Sequence, residues 1–189
     1  MSNLTVVYDA CVLYPAALRD FLVWLALTNL FHARWTDEIH DEWTRNVLKN
    51  RPDLTKKQLE RTKNLMNSSV PNCLVTGYES IIPDLQLPDP DDRHILAAAI
   101  HCRANIIVSF NLSDFLAKVL NLYRIEAQSP DNFILNLLNQ NFTVVCEAAQ
   151  RQRKTLKNPP KTVEEYLETL KQQGLALTAT RLREVCQEI

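Results

Sequence analysis

The stretch Asp89 to Phe115, DPDDRHILAAAIHCRANIIVSFNLSDF, contains the pattern that decides the fold. Asp91 or Asp92 is placed to cap a helix. The apolar residues that follow recur at helical spacing, at Ile95, Leu96, Ala99 and Ile100. The run from residue 105 to 111, NIIVSFN, then predicts a buried strand, because the strands of parallel sheets are apolar on both faces. A helix leading into a buried strand is typical of α/β proteins.

The same alternation extends toward the N-terminus. The segment LTVVY (residues 4–8) predicts a strand, residues 18–30 a helix, and residues 31–35 a second short strand. Thr36 is a suitable N-cap for a helix with an apolar stripe of Ile39, Trp43 and Val47. A polar, basic helix is expected over residues 54–66, and residues 73–78 fit either a strand or an extended loop.

Toward the C-terminus, residues 123–127 predict a strand that leads through Pro130 to a helix capped by Asp131. Because crossovers between parallel strands are right-handed, the whole order predicts an α/β fold, a three-layer α/β/α sandwich with a central parallel sheet. The chain is helical after residue 140. We therefore expect one α/β domain over residues 1–140 and a C-terminal helical extension over residues 141–189.

Composition excludes several classes of protein. The chain has 189 residues, a net charge of −1 and only two glycines, Gly77 and Gly174, so neither a P-loop nor a GxGxxG dinucleotide site can be written. The five scattered cysteines form no CxxC pair, which argues against a disulfide framework and a zinc knuckle. With no signal or membrane-spanning pattern, we expect a cytoplasmic protein.

Acidic residues occur in four segments that should approach the carboxyl edge of the sheet. They are Asp9, Glu42, the pair Asp91 and Asp92, and Asp114. Taken singly, each is explained as a cap or a loop residue. Together they would repel each other unless a cation neutralised them, and oxygen ligands favour Mg²⁺ or Mn²⁺.

With these acids the chain resembles the PIN-domain nucleases, over about residues 4 to 140. Four blocks occur in the order found in that family. They are DACVLYPAALRD (residues 9–20), TDEIHDEWTRNV (residues 36–47), the stretch from Asp89 to Phe115, and SPDNF (residues 129–133). The resemblance implies a PIN-like fold that cuts single-stranded RNA with Mg²⁺ or Mn²⁺, and bacterial members of similar size act as VapC-type toxins held by a small antitoxin.

By that resemblance Asp9, Glu42 and Asp92 are the three principal metal-binding and catalytic carboxylates, with Asp91 beside them. The family usually has a fourth acid where this chain has Asn111. Asp114 is the expected substitute, which leaves open whether one or two metals bind.

Ser109 matches the usual Ser or Thr of the family and is expected to orient an acid or a water. Arg19 is expected to pair with an acid or to contact a phosphate. The four histidines are expected to be ordinary structural residues.

Two basic stretches could bind the RNA backbone, or could simply be solvated helix faces. Residues 45–63 hold seven cations and two acids, and residues 151–161 hold five cations and no acid. The expected partners are an RNA substrate, a small antitoxin and, as an open alternative, a second copy in a homodimer, with no membrane.

The sequence bears on three rival functions. A phosphatase of the haloacid dehalogenase kind needs an acid where Cys11 stands, and the acid spacing of a response-regulator receiver is absent. The remaining rival is a catalytically silent PIN fold that binds RNA or protein, which Asn111 makes reasonable.

Overall fold

The computed structural model describes residues 4–186. Its strands are β1 (Thr5–Tyr8), β2 (His32–Arg34), β3 (Ile106–Val108) and β4 (Glu126–Gln128). They form one four-stranded sheet in the order β2-β1-β3-β4, and every neighbouring pair is parallel. The predicted α/β sandwich with a central parallel sheet is therefore confirmed.

Helices surround this sheet. They are α1 (Ala10–Leu13), α2 (Ala16–Ala26), α3 (Asp37–Asn50), α4 (Lys56–Ser69), α5 (Arg93–His101), α6 (Ala117–Leu120), α7 (Pro130–Gln140), α8 (Phe142–Thr155), α9 (Val163–Gln172) and α10 (Ala176–Val185). Short 3₁₀ turns cover Glu79–Asp84, Pro90–Asp92 and Asn121–Tyr123. No helix within residues 4–186 combines the length and the apolar character needed to cross a membrane.

The strand order places a topological switch between β1 and β3. From β1 the chain crosses to β2 on one side, then returns past β1 to β3 and β4 on the other. In parallel sheets ligands bind beyond the carboxyl ends of strands at such a switch. The residues that follow β1 and β3 are Asp9 and Ser109, so these two side chains occupy the expected position.

Local sequence explains the elements that frame this edge. Thr36 caps α3 by accepting from the backbone N of Ile39 at 3.0 Å, as predicted. The small, buried residues Ala97, Ala98 and Ala99 let α5 pack closely on β1 and β3. Burial of a large aromatic core, which includes the stacked rings of Tyr8 and Trp35, stabilises the sheet.

Two predictions are corrected by the structure, and the choice between a strand and an extended loop for residues 73–78 is resolved. Residues 73–78 form no strand, since only a single bridge joins Trp35 to Leu74. The last strand begins at Glu126, and Tyr123 lies in a 3₁₀ turn. The cap of α7 is Ser129, which accepts from the backbone N of Asn132, because Pro130 takes the first helical position.

Asp131, predicted to cap α7, caps α10 instead. Its two carboxylate oxygens accept from the backbone N of Leu177 at 2.9 Å and of Thr178 at 2.8 Å. The helix dipole favours this negative charge at the start of α10. Asp131 thus ties the last helix to the end of the sheet.

The C-terminal helices pack against the sheet domain. Helix α8 contacts α2, and the buried Gln152 donates to the carbonyl of Ala17 at 2.9 Å and accepts from the Tyr166 hydroxyl at 2.7 Å. Cys146 and Cys186 form a disulfide across 40 residues. The prediction against disulfides is wrong for this pair, because residues distant in sequence meet where α8 lies beside the end of α10.

Candidate active site

Asp9 is buried at the end of β1 and is surrounded by donors. Its Oδ2 accepts from the Ser109 hydroxyl at 2.5 Å and from the Cys11 thiol at 3.0 Å, and its Oδ1 accepts from the backbone N of Cys11 at 3.3 Å. Only 2% of the residue is exposed. The carboxylate is therefore fixed in position by adjacent strands of the sheet.

Burial is the main influence on Asp9. It raises the pKa of the carboxyl above its ordinary value, while the bonds from Ser109 and Cys11 lower it and the charge of Glu42 raises it. The donors thus offset part of the cost of a buried charge. The predicted role of Ser109 as a residue that orients an acid agrees with this contact.

Asp92 lies at the start of α5 and receives no comparable support. Asp92 stands at the N-cap position, but its side chain makes no cap hydrogen bond. The side chain is therefore not explained by a capping role. Asp89 takes the local role by accepting from the backbone N of Asp91 at 2.9 Å. The Oδ2 atom of Asp92 is buried without a hydrogen-bond partner.

Several acidic side chains act on the charge of Asp92. Burial and, in decreasing order, the carboxylates of Asp9, Asp89, Asp114 and Glu42 together raise the pKa of Asp92 to about 7. Each of these acids is therefore close enough to Asp92 for repulsion. Asp89 belongs to this group although it was not among the predicted site residues.

Glu42 on α3 lies beside His94 on α5. The His94 side chain is 7% exposed, and its Nε2 lies 3.4 Å from Oε2 of Glu42 while its Nδ1 lies 3.7 Å from Oε2 of Glu38. Tyr78 donates to the same Glu38 oxygen at 3.1 Å. His94 was predicted to be an ordinary helix residue rather than a ligand, and the structure places its buried ring beside these two acids.

The remaining predicted acids lie at the rim. Asp91 is exposed and lines a cleft of about 780 Å³ together with Glu42, Arg45 and His94. Asp114 follows β3 in a turn in which its backbone N donates to the carbonyl of Asn111 at 3.1 Å. Asn111 is exposed, and its backbone N donates to the Ser109 hydroxyl at 2.9 Å.

Arg19 makes its contacts away from the four acids. Its Nη1 donates to the carbonyl of Leu13 at 2.9 Å, and its guanidinium lies 4.6 Å from the centre of the Trp43 ring. Among the described residues its ion pair is with Asp20, at 4.0 Å. This buried arginine joins α1, α2 and α3, and a phosphate contact by Arg19 stays a prediction.

The two basic stretches are partly occupied by internal contacts. Lys63 pairs with Asp41 at 2.9 Å, and Arg51 pairs with Asp53 at 2.7 Å. Arg151 lies 3.7 Å from Glu147. The exposed Arg45 lines the cleft itself, so of the first stretch it is the cation placed beside the acids.

The donor chemistry of the cleft fits a hard divalent ion. Within residues 4–186, no three His, Cys, Asp or Glu side chains form a ready-made metal group. However, the converging ligands are carboxylates, and one buried oxygen of Asp92 has no partner. A cation would relieve both the repulsion and the unpaired oxygen. The acids thus form an open arrangement suited to Mg²⁺ or Mn²⁺.

Two further residues at this site were missed by the sequence reasoning. Cys11 was not among the predicted site residues, yet its thiol contacts Asp9 and accepts from the backbone N of Phe110 at 3.2 Å. Phe110 is 40% exposed directly after Ser109. The available signal was position, because both residues lie beside predicted site residues at strand ends.

Comparison with known proteins gives two family matches and one relative. A family model described as the PIN domain matches residues 5–113, and one described as the VapC50 C-terminal domain matches residues 130–184. A Mycobacterium tuberculosis (strain ATCC 25618 / H37Rv) protein named "Putative ribonuclease VapC50" is 40% identical over 77 residues, which cover 39% of this chain and 45% of that protein. The match thus spans less than half of the relative. No solved structure matches the chain.

Proposed function

The chain belongs to the PIN-domain family, whose model matches more than half of it, and we propose that it is a metal-dependent endoribonuclease. The observation that carries the proposal is the buried Asp92 oxygen that has no partner and faces the charges of Asp9, Glu42 and Asp114. A protein gains no stability from such an arrangement. The arrangement of acids is explained if it binds a cation that contacts a phosphodiester. The name of the mycobacterial relative supports the same activity.

Asp9, Asp92, Glu42 and Asp114 are the residues that would hold Mg²⁺ or Mn²⁺. When bound, such an ion supplies Lewis-acid activation of water and stabilises charge on the phosphodiester. Asp9 provides a fixed ligand, because Ser109 and Cys11 already orient its carboxylate. Asp92 provides the oxygen that the protein itself leaves unpaired.

The surrounding residues position the substrate and the outer acids. His94 keeps Glu42 directed at the cleft from α3. Arg45, exposed at the rim, is placed to bind the backbone phosphates of RNA, which are the main source of affinity in such complexes. The neutral Asn111 adds no charge where relatives usually carry an acid, so a single ion suits this cleft.

Cleavage of a single-stranded oligoribonucleotide by the purified protein tests the proposal. Activity should require Mg²⁺ or Mn²⁺ and should be lost on addition of a chelator. It should also be lost in Asp92→Asn, whereas Asp84→Asn, an exposed acid of the 3₁₀ turn Glu79–Asp84, should cleave normally. Metal-independent cleavage would contradict the assignment.

The rival function is a silent PIN fold that binds RNA or protein. It is favoured by Asn111 at the usual fourth-acid position. Absence of cleavage by a protein that still binds the ion and RNA would select this reading. Isothermal titration with Mn²⁺ separates it from a wrong assignment of the site, because binding should then weaken in Asp9→Asn.

We extend the proposal to a toxin role. An acidic cleft invites an arginine or lysine from a small antitoxin, and a buried charge of this kind is tolerated when it is paired. Expression alone should arrest growth, Asp92→Asn should abolish the arrest, and an adjacent gene should relieve it. Harmless expression of an enzyme active in vitro would indicate a housekeeping nuclease. A homodimer stays a prediction.

A further inference from the structure

An aromatic ring lies exposed beside the acidic cleft. Phe110 is 40% exposed, although its chain neighbour Ser109 is fully buried and donates to Asp9 at 2.5 Å. The ring is therefore one residue away from the side chain that fixes the buried acid. Leu112, two residues further on, is also 40% exposed. Such exposure of large apolar groups at a polar site needs an explanation.

Contacts from the sheet domain hold the backbone of this segment. The backbone N of Phe110 donates to the Cys11 thiol at 3.2 Å, and the backbone N of Ser109 donates to the carbonyl of Gln128 at 3.0 Å. The backbone N of Asn111 donates to the Ser109 hydroxyl. The chain on both sides of Phe110 is thus fixed before any ligand binds.

The ring itself rests on the C-terminal helices. A Cβ atom at Gly174, in the turn between α9 and α10, would lie 3.3 Å from Cε1 and 3.7 Å from Cζ of Phe110. Gly174 has a φ of +81°, a conformation that glycine adopts without strain. The absence of a side chain lets the turn support one edge of the ring, while much of the ring stays exposed.

We propose that Phe110 is the stacking surface for one base of the RNA substrate, with its edge supported by Gly174. The inference rests on the proposed ribonuclease function and adds a binding residue to it. Aromatic rings bind single-stranded nucleic acid by stacking on base faces, with little dependence on sequence. A ring already held in place loses little conformational freedom on binding. A phosphodiester at the acids would place the adjacent base near this segment, because Phe110 directly follows Ser109, which contacts Asp9.

Steady-state cleavage of a short single-stranded oligoribonucleotide tests the ring. Phe110→Ala should raise KM about tenfold and leave kcat nearly unchanged, because stacking contributes equally to the ground and transition states. Phe110→Trp should keep the low KM. Phe110→Leu should behave like Phe110→Ala, since leucine fills the space above Gly174 without offering an aromatic face. Leu122→Ala, an exposed leucine before β4 at the opposite edge of the sheet, should match the wild type.

A binding measurement separates this inference from the ribonuclease proposal. In the Asp92→Asn protein, which leaves RNA intact, binding of an oligoribonucleotide that contains 2-aminopurine should quench the fluorescence of that base. Adding Phe110→Leu should remove the quenching. If Phe110→Leu binds and cleaves like the wild type, the ring only packs on Gly174 and the inference is wrong. A wild-type protein that neither binds nor cuts RNA would instead overturn the ribonuclease proposal. Loss of binding to a protein partner alone in Phe110→Ala would overturn the stacking role.

Discussion

Asp9 at the end of β1 and Asp92 at the start of α5 are neighbouring acids, but their surroundings differ. Asp9 is almost fully buried and accepts bonds from Ser109 and Cys11. Asp92 has a buried oxygen with no partner and faces the charges of its acidic neighbours. The folded protein thus gives one carboxylate hydrogen bonds that offset part of the cost of its burial, and leaves the other dependent on a ligand. Asp9 contributes to both fold and site, whereas Asp92 contributes to function at a cost in stability.

Replacement of Asp92 should have the largest effect, because it should lower RNA cleavage and raise the stability of the metal-free protein. Asp92→Asn should reduce RNA cleavage at least about a hundredfold, as loss of a metal ligand removes charge stabilisation in the transition state. Without metal, its free energy of unfolding at pH 8 should exceed that of the wild type by about 1–2 kcal/mol, after solvent screening of a half-buried group is allowed for.

Chemical denaturation in a chelator, with Asp9→Asn as the matched variant, measures this effect. Asp9→Asn should also lose cleavage, but its gain in stability should be smaller, because loss of the charge weakens the bonds from Ser109 and Cys11. Equal gains in the two variants would mean that the distinction between the two acids is wrong.

The same contrast should depend on pH. The pKa of Asp92 is about 7 in the folded protein, above its ordinary value of 3.8, so the folded state holds a proton that the unfolded state releases. The stability associated with that proton is present below about pH 4 and is lost as pH rises through 7. The advantage of Asp92→Asn over the wild type should therefore grow from pH 5 to 8 and then level off.

The buried His40 also makes stability depend on pH, so Asp92→Asn has to be compared with the wild type at each pH. Burial lowers the pKa of His40, so its protonation in the unfolded chain reduces the stability of both proteins as pH falls below about 6.5. This contribution cancels in the difference between Asp92→Asn and the wild type. Unfolding midpoints of both proteins at four pH values in a chelator would measure this difference. A difference that does not change with pH would contradict the raised pKa of Asp92.

Ser109→Ala should show a smaller effect on the supported acid. The buried hydroxyl donates to Asp9, so its removal should raise the pKa of Asp9 further and cost about 1–2 kcal/mol of unfolding free energy. Ser113→Ala is the matched control, since the exposed Ser113 hydroxyl reaches only Asp114, at 3.4 Å. NMR titration of the Asp9 carboxyl gives the direction of the shift, and an unchanged pKa would argue against the bond.

Asp131→Ala should have the smallest effect, and it should lower the stability of the protein without changing cleavage. Asp131 resembles Asp9 in accepting several bonds, from the backbone N of Leu177 and of Thr178, but it supports α10 rather than the cleft. Loss of a cap costs about 1 kcal/mol. Thermal unfolding should show this loss while cleavage by the variant stays within twofold of the wild type. Reduced metal binding would show that the two regions are coupled.

The sequence was sufficient for the sheet because its strands carry strong local signals. The β-branched run before Asp9 and the buried run before Ser109 gave the correct strands and their parallel arrangement. The four acidic segments were likewise expected to meet at the carboxyl edge, and the charges acting on Asp92 agree with that. Capping by Thr36 followed from three residues of sequence and was also correct.

Features that depend on distant contacts could not be obtained in this way. The contact of His94 with Glu42 joins α5 to α3, and the cap provided by Asp131 joins α7 to α10. Asp131 was misread because an acid after a proline has an adequate local explanation, and no local pattern indicated that His94 lies beside Glu42. The disulfide is a similar case, since its cysteines are 40 residues apart. Local patterns specify elements, whereas side-chain pairing between elements depends on how they pack.

The disulfide between Cys146 and Cys186 also makes part of the chain a covalent ring. The ring includes α9, α10 and the turn with Gly174 that supports Phe110. A protease that cuts once inside the ring therefore creates new ends without releasing a fragment. The nicked molecule keeps its mass, apart from one added water, and it separates into two peptides only after a reductant is added.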